Sequence, residues 1–263
     1  MKTRFTFAQI EKFFFSSRAK LFIFNSLLVI AVLGTFGSGV ASAQHKMSKR
    51  YPAGKNVRVE LKNISGTIIV ESWDRSEIKL TALLESPKAN LAPRQEGDGL
   101  IVDVMGDNRG RGDVGSINFH LQVPVNSSVD LETKMGGITV RNIRGGLVRA
   151  HVSSEGDIEL TGITASRVYA KNRIGDIFFD GEFARDGEYH LQSGKGNINI
   201  RIPANSAFSL TAAAPNKQIN IGEFWNNNFK SMGDGRKFVG NVGGGQSEVI
   251  VTNFQGSITF MRR

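Results

Sequence analysis

Two aspartates occupy equivalent positions in this 263-residue chain, Asp157 and Asp176, each within a Gly-Asp-Ile unit. If the two turns stack as neighbours in a sheet, their carboxylates lie about 5 Å apart. That separation suits a retaining glycosidase pair or an oxygen-ligated cation. Gly-Asp is also ordinary turn chemistry, and a turn is the reading expected here. The spacing differs from the tighter nine-residue repeat of calcium-binding β-helices. His120, His151 and His190 fall on separate strands without metal-ligand spacing, so no metal site is expected. Arg111-Gly112-Asp113 matches an integrin-type tripeptide, which in a glycine-rich loop is read as coincidence. The chain has no cysteine, which excludes a thiolate zinc site, a cysteine nucleophile and a lipid anchor on cysteine. It shows no nucleophile elbow, phosphate-binding loop or dinucleotide fingerprint, and no cofactor is expected. Gly243-Gly244-Gly245 has no lysine-serine pair beside it and reads as a hinge.

A second constellation is cationic. Lys134, Arg149, His151, Tyr169, Lys171, Arg173, His190 and Lys195 alternate with apolar residues and are expected to share one outward face. The expected ligand-binding residues are Arg149, His151, Tyr169, Lys171, Arg173 and His190. Tyr169 offers a ring for stacking, and the cations would suit acidic groups. Like charges about 5 Å apart repel, and an anionic ligand would relieve that repulsion. A plain solvated β-surface is the competing reading. Tyr189, alternating inward, needs a partner for its hydroxyl.

These residues must be positioned by strands. Ile138, Ile158, Ile177, Ile198 and Ile219 follow one another at 20, 19, 21 and 21 residues. A turn-forming pair precedes most of them: Gly136-Gly137, Gly156-Asp157, Gly175-Asp176 and Gly196-Asn197. Period-2 alternation runs before and after each turn, as in Val148-x-Ala150 and Ile158-x-Leu160, which means short β-strands. A fixed period of about 20 residues predicts an all-β fold, a single-stranded right-handed β-helix or β-solenoid. The isoleucines are expected to form one buried column. The inward register continues with Thr133, Val152, Asn172 and Ser193, whose small polar members are expected to form hydrogen-bonded ladders at a bend. Ile117 extends the period upstream. The 39 residues from Ile219 to Ile258 imply a missing copy near Val239, read as a loop or decorated coil. Val57–Ala82 and the basic end Met261-Arg262-Arg263 are the expected caps.

The first 43 residues read as a signal peptide, with Lys2, Arg4, Lys12, Arg18 and Lys20 ahead of the apolar run Leu21–Phe36 and Ala41-Ser42-Ala43 before Gln44. An uncleaved membrane anchor is the alternative. Cleavage removes five basic residues and one acidic one, lowering the net charge from +9 to +5. Residues 44–56 read as a linker and 57–263 as one domain. No later stretch is apolar enough to cross a membrane. The expected location is periplasm, cell envelope or extracellular space. Export and modest charge disfavour nucleic acid as a partner.

Several of these motifs resemble the bacterial putative-adhesin family, a group of exported domains. The resemblance rests on the opening strand Val57–Gly66, on Val123-Pro124-x-Asn126 followed by a strand and Gly137-Ile138, on the Gly-Asp-Ile units, and on Ile202-Pro203-Ala204-Asn205. It covers most of residues 57–263. It implies stacked β-coils at the cell envelope and brings no catalytic residues. Two function classes follow. One is a non-enzymatic, adhesin-like envelope protein binding an anionic glycan, an envelope lipid or an envelope protein. The other is a polysaccharide lyase or hydrolase on a β-helix scaffold. The sequence lacks a convergent carboxylate, lysine and arginine cluster, which favours the first.

Overall fold

The computed structural model describes residues 45–215 and 218–263. The proposed signal peptide, residues 1–43, lies outside them, as does Lys217 in the last expected turn. The chain is all-β. Its first part runs β1 (His45–Pro52), β2 (Arg58–Ser65), β3 (Ile68–Trp73), β4 (Glu77–Leu84), β5 (Arg94–Glu96), β6 (Gly99–Asp103), a single helical turn α1 (Val104–Asp107) and β7 (Ile117–Pro124). The repeats follow as β8 (Ser128–Met135) and β9 (Ile138–Arg141), β10 (Leu147–Glu155) and β11 (Ile158–Ile163), β12 (Arg167–Ile174) and β13 (Ile177–Gly181), β14 (Glu188–Lys195) and β15 (Ile198–Ile202). The last part holds β16 (Phe208–Ala213), β17 (Ile219–Asn220), a 3-10 turn (Gly222–Phe224), β18 (Lys230–Met232), β19 (Lys237–Val242), β20 (Glu248–Asn253) and β21 (Ile258–Arg262).

Each repeat gives one strand to each of two sheets. The ten-stranded sheet has the order β1-β4-β7-β3-β9-β11-β13-β15-β21-β17, and the eleven-stranded sheet β18-β19-β16-β20-β14-β12-β10-β8-β2-β6-β5. Within the repeats all neighbours are parallel and in register, so Ile158 sits between Ile138 and Ile177, and Val148 between Val129 and Val168. Inward residues of both sheets form one core between them. Burying each such isoleucine contributes roughly 1.5–3 kcal/mol.

The column expected of the isoleucines holds for Ile138, Ile158, Ile177 and Ile198, all fully buried. It departs from sequence order at its ends. Ile258 stands next to Ile198, and Ile219 pairs with Ile258 beyond it, half-buried. At the other end Ile68, not Ile117, adjoins Ile138. Ile117 instead pairs antiparallel with Leu84. The segment around Val239 is no copy of the repeat: β18 and β19 form an antiparallel hairpin against β16. That hairpin occupies the outer edge of β16, so the chain returns to the inner edge and inserts β20 and β21 between earlier repeats.

The expected caps are therefore corrected. β2, β3 and β21 are internal strands: β6 and β5 lie outside β2, β7, β4 and β1 outside β3, and β17 outside β21. The outer strands are β1, β5, β17 and β18. Residues 44–56 are not simply a linker, since β1 pairs with β4 along its whole length. Only Met47 and Tyr51 of β1 face the core, too few apolar residues to signal a strand. Lys46, Lys49 and Arg50 on this edge discourage pairing with another chain.

The bends between the sheets explain the glycines. Gly136, Gly156, Gly175 and Gly196 stack with positive φ, and a Cβ on Gly175 would lie 2.3 Å from the Gly156 carbonyl oxygen. The expected polar ladder is present and longer: Asn63, Thr133, Asn172, Ser193 and Asn253 are buried in successive register, interrupted by Val152. They bond to bend carbonyls rather than to one another. Asn253 Nδ2 donates to Gly196 O and Ser257 O at 2.8 and 2.9 Å, and Ser193 Oγ to Gly175 O at 3.1 Å.

Candidate functional site

The outer face of the eleven-stranded sheet is built by alternation. In β10, Val148, Ala150 and Val152 are buried, so Arg149 and His151 point outward. Parallel register then carries each outward position across the sheet. One row runs Glu60, Asp130, Arg149, Tyr169, His190, Ile250, and the next runs Lys62, Glu132, His151, Lys171, Gln192, Thr252. Arg173 follows near the end of β12 and is exposed. The six expected residues thus share one face.

Their electrostatics differ from the expectation of mutual repulsion. Arg149 Nε lies 3.0 Å from Asp130 Oδ1, His151 Nδ1 3.7 Å from Glu132, and His190 Nε2 3.1 Å from Glu188. The last contact is close without being aligned: His190 Nε2 is buried and has no hydrogen-bond partner. Carboxylates therefore stand beside three of the six residues: Asp130 and Glu132 from the neighbouring strand β8, and Glu188 from His190's own strand. Asp130 and Glu132 could have been found in the sequence, because they hold the outward positions of the run from Val129 to Thr133. Lys171 and Arg173 have no ion-pair partner among the described residues and are exposed.

Burial pushes the Asp130 carboxyl above the usual carboxylate range, against the pull of the Arg149 guanidinium. The Tyr169 hydroxyl is also pushed up, by desolvation first and then by Glu188. Its ring meets the His190 ring edge-on at 5.3 Å. Tyr189 beneath it resolves the question of an inward hydroxyl. Fully buried, its Oη accepts from Ala184 N–H at 2.6 Å and donates to Ala165 O at 2.9 Å.

At the far end of the strands the face turns into a ridge. The register row Met135, Glu155, Ile174, Lys195 crosses four strands, and Lys134 and Arg173 precede Met135 and Ile174 in the chain. Met135 is 49% and Ile174 37% exposed. Two apolar side chains, the Glu155 carboxylate and Lys195 therefore share one exposed edge, with the cations Lys134 and Arg173 one residue earlier.

The other chemical candidates are absorbed by structure. Asp157 Oδ1 accepts from Asp176 N–H at 2.8 Å, and Asp176 Oδ1 from Asn197 N–H at 2.7 Å. Each carboxylate ties its bend to the next, which is turn chemistry. No group of three or more His, Cys, Asp or Glu among the described residues is set to hold a metal. His120 lies on the other sheet, 2.9 Å from Glu71. In the tripeptide, Arg111 donates to Lys88 O in the loop after β4 and Asp113 accepts from Gly115 N–H in its own loop, so both side chains serve loop structure.

No protein-family model and no curated protein matches the chain. Solved structures do. A putative cell adhesion protein from Clostridium sporogenes is 12% identical with a TM-score of 0.50, covering 84% of this chain and 100% of its own. A putative adhesin from Bacteroides fragilis is 9% identical with a TM-score of 0.32, covering 84% and 99%. A putative lipid binding protein from Parabacteroides distasonis is 12% identical with a TM-score of 0.32, covering 83% and 97%. With the Clostridium protein this chain shares a fold: a stack of short strands in two sheets.

Proposed function

We propose that this chain is an exported, non-enzymatic, adhesin-like protein of the cell envelope that binds an anionic surface, with acidic lipid headgroups as the leading partner. Its two-sheet stack is read as one right-handed β-solenoid of about 20-residue coils, the hand being that of parallel crossovers in general. The observation that carries the function is the ridge where three cations, Lys134, Arg173 and Lys195, outnumber the single carboxylate of Glu155 beside exposed Met135 and Ile174. Cations attract an anionic leaflet and apolar tips bury in its boundary, so the two contributions act together. Arg149, His151, Tyr169, Lys171, Arg173 and His190 extend that contact over the sheet face. Lys171 and Arg173 carry most of it, because carboxylates already engage Arg149, His151 and His190.

Co-sedimentation with phosphatidylglycerol vesicles tests the reading, with phosphatidylcholine vesicles as the control. Binding should weaken as salt rises, since exposed charges are screened over about 8–10 Å. Replacing Arg149, Lys171 and Arg173 with serine should reduce it strongly; a folded triple variant that binds like the parent refutes the assignment. Cell fractionation tests export, and a full-length cytoplasmic product would end that part. New reducing or unsaturated ends released from acidic polysaccharides would establish the lyase or hydrolase alternative.

A further inference from the structure

A groove of about 550 Å³ crosses the leading ends of β2, β8, β10 and β12, at the opposite end of these strands from the ridge. Three arginines line it, Arg58, Arg144 and Arg167, together with Ser128, Thr164 and Ser166. No carboxylate is among its lining residues. All three arginines are exposed. Arg58 reaches Asp130 only at 3.9 Å, and neither Arg144 nor Arg167 has an ion-pair partner among the described residues. The nearest acid along the register is Glu188, opposite Arg167 on β14, and it lies against His190. The groove thus differs from the sheet face, where carboxylates stand beside Arg149, His151 and His190.

Its floor is a built feature. Gly145 is buried, and a Cβ there would fall 2.0 Å from Ser127 O, so only glycine lets the chain pass this close. The three arginines line the one space above this floor. Concave, singly charged surfaces concentrate potential more than flat ones.

We propose that this groove binds an oligoanionic saccharide, one carrying two or more sulfate or phosphate groups. Arg58 and Arg167 lie on strands three spacings apart, about 14 Å, with Arg144 on the segment between. One tetrahedral anion cannot span that distance, whereas several anionic groups on one sugar scaffold can. Each guanidinium offers a planar fork that matches two oxygens of a sulfate or phosphate. The hydroxyls of Ser128, Thr164 and Ser166 supply donors and acceptors for sugar hydroxyls. A lipid is disfavoured because the apolar lining residues are Val57, which is buried, and Leu147, which is half-buried, leaving no exposed aliphatic wall for an acyl chain. The proposal does not rest on the reading of the ridge and sheet face.

Isothermal titration of the purified protein with sucrose octasulfate tests it, beside sucrose, inorganic phosphate and phosphatidylglycerol vesicles. The octasulfate should bind, phosphate far more weakly, and sucrose not at all. Arg144→Gln together with Arg167→Gln should weaken octasulfate binding about tenfold or more, while Lys230→Ser with Lys237→Ser, exposed on the β18–β19 hairpin, leaves it nearly unchanged. Both arginines are exposed, and an unchanged melting temperature verifies that the variant is folded. The proposal is overturned if the groove variant binds as the parent does, if the hairpin variant causes the loss instead, or if sucrose binds equally well. Vesicle binding without octasulfate binding also overturns it. Failure of vesicle binding alone sinks the ridge assignment and leaves the groove standing.

Discussion

Replacing Gly175 with alanine tests the idea that close approach of successive bends requires the glycine column. Gly175 has φ +133°, and a Cβ would lie 2.3 Å from Gly156 O and 2.7 Å from the Gly156 carbonyl carbon. Ordinary contact begins near 3.4 Å, so the two bends must separate by about 1 Å. Separation disturbs the bond from Gly156 N–H to Ile174 O, now 2.9 Å. The strained φ costs about 1–3 kcal/mol and an unsatisfied buried amide about 1–3 kcal/mol. Together the expected loss is about 2–6 kcal/mol. Gly97→Ala is the comparison, because Gly97 has φ +57° and nothing within 4 Å of the added methyl. It should cost about 1–2 kcal/mol, the conformational penalty alone. Urea denaturation followed by circular dichroism measures both. If the two variants lose the same stability, close approach is not what demands glycine, and the account of the bends fails.

Ile177→Asp places a carboxylate in the fully buried column and should unfold the centre of the stack; an unchanged melting temperature would contradict the burial. Tyr189→Phe leaves Ala184 N–H and Ala165 O without their hydroxyl and should cost about 1–3 kcal/mol, again read by denaturation; a neutral result would mean those groups find other partners. Asp130 binds its proton more tightly when folded, since burial raises its pKa above the usual carboxylate range. Its contribution to stability is therefore fully present below the unfolded pKa and is lost as pH rises through the folded one. The unfolding free energy of the parent minus that of Asp130→Asn should fall across that interval, and a difference that rises with pH refutes the assignment.

Alternation and turn chemistry made the repeats legible, because they are local. Val148-x-Ala150 and Ile158-x-Leu160 declare which side of a strand is buried, and Gly-Asp declares the bend. The polar ladder was legible for the same reason, since Asn172 and Ser193 continue the inward period. The sharing of one face by Arg149, Tyr169 and His190 also follows from period alone once repeats are parallel. Strand order does not. Pairing of Ile198 with Ile258 rather than Ile219 was decided by the β18–β19 hairpin taking the outer edge of β16. The strand β1 escaped notice because a charged edge strand with two core contacts has almost no pattern of its own. Charge balance on the sheet face was decided across strands: Asp130 meets Arg149 only because residues 19 apart become neighbours in register. The arginine groove likewise exists only in three dimensions, since Arg58, Arg144 and Arg167 share no spacing and are gathered by β2 packing beside β8. The sequence determines short-range periods, whereas long-range pairing is a choice among edges that only the assembled stack offers.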